Sequence, residues 1–460
     1  MHPKGLYFLA FTEAWERFSY YGMSALLALY LVQQLLQPDH IMNVWGLGVL
    51  RSNLEDLMGP LTPQALASLI FGIYSAFVYL TPIAGGVLAD RYWGARRTVL
   101  MGAFLLVLGH LAMAFDETFL LALVLLIMGT GLLKGNISAQ VGALYPPSDD
   151  EKRTQGFIIF SVGISAGAMA GPIVCGSLAL AYGWHIGFAG AAALMMLSMA
   201  TYALGLRHLP PDAVRARQSS STPLSKAERQ KILALLAVIA ITVFQTTAYN
   251  QSGNVGLIWI SEHVDLQTSL GQVPEPWFPS FDALAGIIAA PLLIALWSRF
   301  PKLDLRPLHK IALGAAIAGV ASLLLAAGAL QAQSGEASWL WPLLAFVTFG
   351  IGYMHYWPTC LALVSRLAPM HLKGTMISVA FLAFFVANLL VGYVGTFYES
   401  LGPLNFWLIN ASIAGVGSVV ALLSSKPLSK ILDDLGPHPE VDETRPIDSD
   451  SFNVPSNTHS

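Results

Sequence analysis

Three ionisable residues interrupt an otherwise apolar stretch near the start of the chain, FTEAWERFSYYG, at Glu13, Glu16 and Arg17. Spaced three and four apart, they share one face of a helix. A charge at the centre of a bilayer costs roughly 2.5–3.5 kcal/mol on insertion scales, so such groups must face a paired or wet interior. A fourth, Lys134, lies within GTGLLKGNISAQVGALY. Two acids and two bases sum to zero if the two segments are neighbours. How firmly a lysine holds its proton depends on its hydration and on whether a carboxylate faces it. The set can therefore relay a proton as a cavity opens and closes. The plainer reading is a static ion-pair network that holds helices together, and the residues alone leave both open.

These residues must be positioned by membrane-spanning elements. The 460 residues are 55% hydrophobic and 11% charged, with a mean hydropathy of +0.61. Soluble domains carry about 25% charged residues, so lipid must be the solvent for much of this surface. Spans of sufficient length fall near 6–35, 65–88, 96–115, 117–144, 155–180 and 183–207. After a polar break they resume near 231–261, 276–298, 308–332, 337–366, 375–399 and 404–425. The expectation is an all-α membrane protein of 12 transmembrane helices in two six-helix bundles, 1–207 and 231–425. A cytoplasmic linker at 208–230 and a disordered cytoplasmic tail at 426–460, rich in Pro, Asp and Ser, complete it. The first apolar stretch is too long for the core of a cleaved leader and carries charges, so it is expected to be a span.

Loop charges set the orientation. With the N-terminus inside, the inner loops hold Arg91, Arg96, Arg97, Lys152, Arg153, Arg215, Arg217, Lys226, Arg229, Arg299, Lys302, Arg306, Lys310 and Lys373. The outer loops then hold only Arg51. Both termini are expected to be cytoplasmic. Cys175 and Cys360 lie in apolar stretches and read as packing residues. No Cys or His cluster has metal-ligand spacing, and no phosphate-binding glycine loop is followed by Lys-Ser/Thr. Neither a metal nor a cofactor other than protons is expected, and nothing points to nucleic acid. No nucleophile–base pair is visible, so the chain is not expected to be an enzyme.

The loop GGVLADRYWGARR, with Gly85, Asp90, Arg91, Arg96 and Arg97, resembles the loop between the second and third helices of the major facilitator superfamily. There the glycine allows close helix approach and the Asp/Arg charges latch the inner gate. The run E-x-x-E-R-F-x-Y-Y (Glu13, Glu16, Arg17, Phe18, Tyr20, Tyr21) resembles the helix 1 motif of the proton-dependent oligopeptide transporter family of that superfamily. Lys134 with Asn136 is similar to its helix 4 motif, and YGWHIGF and LALVSRLAP look like further family segments. Together they cover about residues 6–425. The resemblance implies a proton-coupled symporter that imports a small peptide-like solute by alternating access, with Glu13, Glu16, Arg17 and Lys134 in the coupling network. It further implies a monomer in a bacterial inner membrane or an equivalent plasma membrane. A drug or metabolite antiporter on the same fold is the alternative, and a non-transporting sensor a more distant one.

The chain departs from the family where substrate is held. Ser24 stands at the family's arginine for the peptide carboxylate, Tyr353 at its helix 10 glutamate for the peptide amine, and Ser165 at its helix 5 asparagine. Asp282, within WFPSFDALAG, stands where an asparagine is usual. It either takes over the cationic end of the solute or caps the start of its helix. Tyr20, Tyr21, Tyr74, Tyr249, Asn250, Gln251 and Asn254 are further cavity candidates, some of which would only bridge helices. On the tenth span His355, Tyr356 and Trp357 precede Pro358, a possible hinge. His355 reads as a hydrogen-bonded spacer.

Overall fold

The computed structural model describes residues 2–146, 148–212, 224–269, 271–300, 305–369 and 372–434. Among these residues it contains twelve long helices. They are α1 (Lys4–Tyr30), α2 (Pro63–Leu88), α3 (Ala95–Ala112), α4 (Phe119–Ala143), α5 (Asp150–Tyr182) and α6 (Trp184–Gly205), followed by α7 (Lys226–Asn250), α8 (Phe278–Arg299), α9 (Pro307–Ala332), α10 (Leu340–Leu367), α11 (Lys373–Gly395) and α12 (Tyr398–Asp434). Ten are long and apolar enough to cross a membrane on composition alone. The other two are α1, which carries Glu13, Glu16 and Arg17, and α10, which is diluted by Gly, His, Tyr, Trp and Pro. The residues that disqualify them by composition are the ones of functional interest.

Local chemistry sets the helix ends. Thr62 accepts the Ala65 N–H to open α2, and Ser225 and Glu228 form a reciprocal capping box that opens α7. The α2–α3 and α5–α6 turns each hinge on a glycine at positive φ, Gly94 and Gly183. Gly402 at φ 72° breaks α12 near its start. Past Asn250, α7 continues through a wide turn at Ser252–Gly256 into a short helix, Leu257–His263.

Two expected boundaries move. Residues 226–230 belong to α7 rather than to a linker, because the capping box starts the helix early. Residues 426–434 are helical rather than disordered. There Leu428 and Leu432, four apart, pack on the apolar cluster of α10 and α11. Arg215, Arg217, Lys302 and residues 435–460 lie outside the described residues.

In the N-terminal half α1 packs on α5 and α6, while α4 lies against α2 and α3. In the C-terminal half α9 packs on α10 and α12, and α7 on α11 and α12. The halves meet through α2 on α11 and α5 on α8. Both contacts close at the end of the bundle away from the chain termini. At Gly72 the backbones approach so closely that a Cβ would sit 2.6 Å from the Gly392 nitrogen. The core of the C-terminal half divides into two apolar clusters. One surrounds Trp259, Phe278, Phe346 and Trp407, the other Tyr356, Trp357, Cys360 and Phe384. Tyr249 edges the first and Tyr353 the second.

Candidate functional site

The helix 1 motif folds into one compact cluster. The Arg17 guanidinium donates twice to Glu16, through Nε to Oε2 and through Nη2 to Oε1 at 2.7 Å. Its Nε also lies 3.2 Å from Glu13 Oε1. All three side chains are 4% exposed or less. Glu13 Oε2 is buried with no hydrogen-bond partner. One cation thus serves two carboxylates, leaving the cluster one negative charge in excess if both acids are ionised.

Lys134 makes no ion pair among the described residues, contrary to the expected pairing with the helix 1 acids. Its ammonium lies 4.3 Å from the centre of the Tyr79 ring on α2. The planar fork of Arg17 matches carboxylate geometry and already occupies both acids. The lysine falls instead on an aromatic face, which attracts a cation through the ring quadrupole. Tyr79 stacks on Phe384 of α11 at 4.7 Å, and Phe384 meets Trp357 of α10 at 4.4 Å. An aromatic chain therefore carries contact from Lys134 in one half into the other.

Across the cavity stands Asp282. Trp277 holds the N-cap of α8 and makes no side-chain cap bond. Asp282 lies a full turn inside the helix, so the capping reading is set aside. Its Oδ2 accepts a hydrogen bond from the Tyr249 hydroxyl of α7. The Tyr249 ring lies 5.4 Å from that of Tyr353 and 5.7 Å from that of Phe349. The position expected from LALVSRLAP to hold a glutamate thus brings Tyr353 into the wall around Asp282.

The remaining candidates separate into two groups. Tyr20, Tyr21 and Ser24 share the half-buried face of α1. Arg17 lies over the Tyr20 ring at 5.1 Å, while Ser165 is half-buried on α5. The others bridge helices. Asn136 donates to Gly85 O at 3.2 Å and to Leu132 O, and Asn250 donates to Asn388 at 3.1 Å. Gln251 donates to Val391 O at 2.9 Å and accepts from Asn254 at 3.2 Å. Asn254 in turn accepts from Ser68, and Gln64 links Ser68 to Gly395 O. This last network ties α2, α7 and α11 at the closed end. Trp357 is packed edge-on between Phe381 and Phe384. His355 is a spacer, its Nδ1 2.9 Å from Ile351 O. Both cysteines are buried and free.

The gate loop differs from expectation. Gly85 does allow close approach, its Cα facing Gly131 of α4. Asp90, Arg91 and Arg97 are exposed and make no ion pair among the described residues. Arg96 forms the tie instead, donating its side chain to Leu209 O and its N–H to Asp212 at 2.7 Å. The exposed charges are solvated in this conformation, whereas Leu209 O and the Asp212 carboxylate, past the end of α6, are within reach.

Sequence reasoning missed Tyr79, whose only signal was a tyrosine five residues after Tyr74. It also missed a polar knot at the closed end, where Asp116 joins Tyr30, His40 at 2.7 Å and His185 at 3.5 Å. These residues come from four separate segments, and no local spacing connects them.

Comparison with known proteins agrees with this architecture. The family model described as Major Facilitator Superfamily matches residues 16–392. A di-/tripeptide transporter of Lactococcus lactis subsp. cremoris is 29% identical over 94% of this chain and 97% of its own. A crystal structure of a mutant of the peptide transporter POT in complex with alafosfalin superposes with a TM-score of 0.82 at 25% identity, covering 94% of this chain and 96% of that one. A POT family transporter in complex with 5-aminolevulinic acid gives a TM-score of 0.81 at 25% identity, covering 93% and 97%. With its twelve helices in two bundles and its Glu-x-x-Glu-Arg cluster, the chain is similar to POT family transporters and belongs to the Major Facilitator Superfamily.

Proposed function

We propose that the protein is a proton-coupled symporter that imports small peptides or peptide-like solutes by alternating access. It works as a monomer in a bacterial inner membrane with both termini cytoplasmic. The observation that carries the reading is the split charge cluster. Arg17 is shared between two buried carboxylates, Glu13 Oε2 is left without a partner, and Lys134 stands apart on Tyr79. In such a cluster a proton on Glu13 removes the excess negative charge. Lys134 has two resting places, the Tyr79 ring and a carboxylate of α1. The choice between them is a two-state element that can be tied to the rocking of the halves.

With the termini inside, the contacts that close the far end support a carrier sealed on the outside. Ser24, Ser165, Tyr20, Tyr21 and Asp282 then line the solute path, and Asn136, Asn250, Gln251, Asn254 and Trp357 hold its walls. The solutes in the related structures, alafosfalin and 5-aminolevulinic acid, are small molecules, which supports a site not confined to unmodified dipeptides.

The test is uptake of alanylalanine into proteoliposomes under an imposed inward proton gradient. Accumulation that needs the gradient, and that Lys134→Ala loses, is the expected result. Uptake indifferent to the gradient would sink proton coupling. Efflux against it would favour the antiporter.

A further inference from the structure

Where α9 begins and α10 and α12 end, the three helices leave a pocket of about 240 Å³ between them. Arg306, one residue before α9, and Arg366, in the last turn of α10, both line it. Ser429 of α12 adds a hydroxyl, and Leu308, Leu363 and Leu432 add an apolar lining. Both arginines are exposed, and neither makes an ion pair or a side-chain hydrogen bond among the described residues.

Two guanidinium groups on one small cavity repel each other. An anion that accepts from both turns that repulsion into binding, and the planar fork of arginine matches the oxygens of a phosphate. The leucines narrow the choice. A free phosphate gains nothing from an apolar lining, whereas the phosphodiester of a lipid brings glycerol carbons and acyl chains with it. Beside the pocket the apolar surface continues outward. Leu305, next to Arg306, is 40% exposed, and Ile431, next to Leu432, is 37% exposed. With the termini inside, this is the cytoplasmic face, where the leaflet carries anionic lipids that attract Lys and Arg.

We infer that Arg306 and Arg366, with Ser429, form a site for the phosphate of an anionic phospholipid of the inner leaflet. A lipid seated there joins α9 to α10 and holds the end of α12, whose Leu428 and Leu432 already pack on the same half. The inference rests on the transport reading for its leaflet and not for what is carried.

The test counts lipids bound to the purified, detergent-solubilised full chain by native mass spectrometry. Dioleoylphosphatidylglycerol is titrated against dioleoylphosphatidylcholine, which has the same chains and no net charge. The first phosphatidylglycerol is expected to bind at least about tenfold more tightly than phosphatidylcholine. Arg306→Gln and Arg366→Gln should each weaken it severalfold and leave phosphatidylcholine unchanged. Arg299→Gln, at an exposed base outside the pocket, should change neither. Should an arginine variant fail to fold, Ser429→Asp, which sets a carboxylate beside the arginines, should show the same loss. Equal binding of the two lipids, or full phosphatidylglycerol binding in the pocket variants, would overturn the site. Displacement of the lipid by inorganic phosphate at equal concentration would make it a free-phosphate site and overturn the lipid assignment. The assay holds neither solute nor gradient, so a failure to accumulate peptides in proteoliposomes would sink the transport reading and leave the lipid site standing.

Discussion

One guanidinium between two carboxylates leaves the neighbouring lysine with no ion pair among the described residues, and that displacement defines Lys134. Its contact is an aromatic face, Tyr79, at 4.3 Å. Replacing Tyr79 with Phe keeps the ring and should keep coupled uptake near wild type. Replacing it with Ala removes a cation–π contact of roughly 1–2 kcal/mol, about five- to thirtyfold in gradient-driven uptake. If Phe is as damaging as Ala, the hydroxyl and not the ring is what matters. The same residue logic separates Asp282 from a helix cap, since its carboxylate meets Tyr249 and not the backbone of its own first turn.

At the level of elements, the two halves touch where side chains have been removed. A Cβ on Gly72 would lie 2.7 Å from Asn388 O, inside the distance any real contact tolerates. Gly72→Leu should wedge α2 from α11 and hold the far end open. A cysteine introduced at Ser68, buried in the closed form, should then react severalfold faster with a membrane-impermeant thiol reagent. Gly86→Leu on the same helix meets nothing within 4 Å and should leave the rate unchanged. Equal rates in the two variants would mean that α2–α11 packing does not control closure.

Across the whole molecule, closure is shared between two separate seams. On the second, the Trp277 indole donates to Ile173 O and to Ser177, each at 3.1 Å, joining α8 to α5. Trp277→Phe loses hydrogen bonds of roughly 0.5–1.5 kcal/mol together with part of the indole's packing. It should open the far end modestly in the same thiol assay. Because it lies on the other seam and shares no partner with Gly72, its effect should add to that of Gly72→Leu. Strong non-additivity would show one cooperative gate in place of two independent contacts.

The spans, the two-bundle layout and the charged face of α1 were legible in the sequence because they rest on local rules. Twenty apolar residues must be helical in lipid, and residues three and four apart share a face whatever surrounds them. Helix ends were less legible. The capping box at Ser225 and the packing of Leu432 extended α7 and α12 past the composition breaks that marked their limits. What only the tertiary structure decided was which partner each buried polar group takes. Arg17 claims both helix 1 acids and Lys134 goes to Tyr79, while Asn136 and Gln251 turn to backbone carbonyls. The knot around Asp116 gathers side chains from four segments. Such choices depend on competition among groups far apart in the chain, and distance in space is not written in spacing along it.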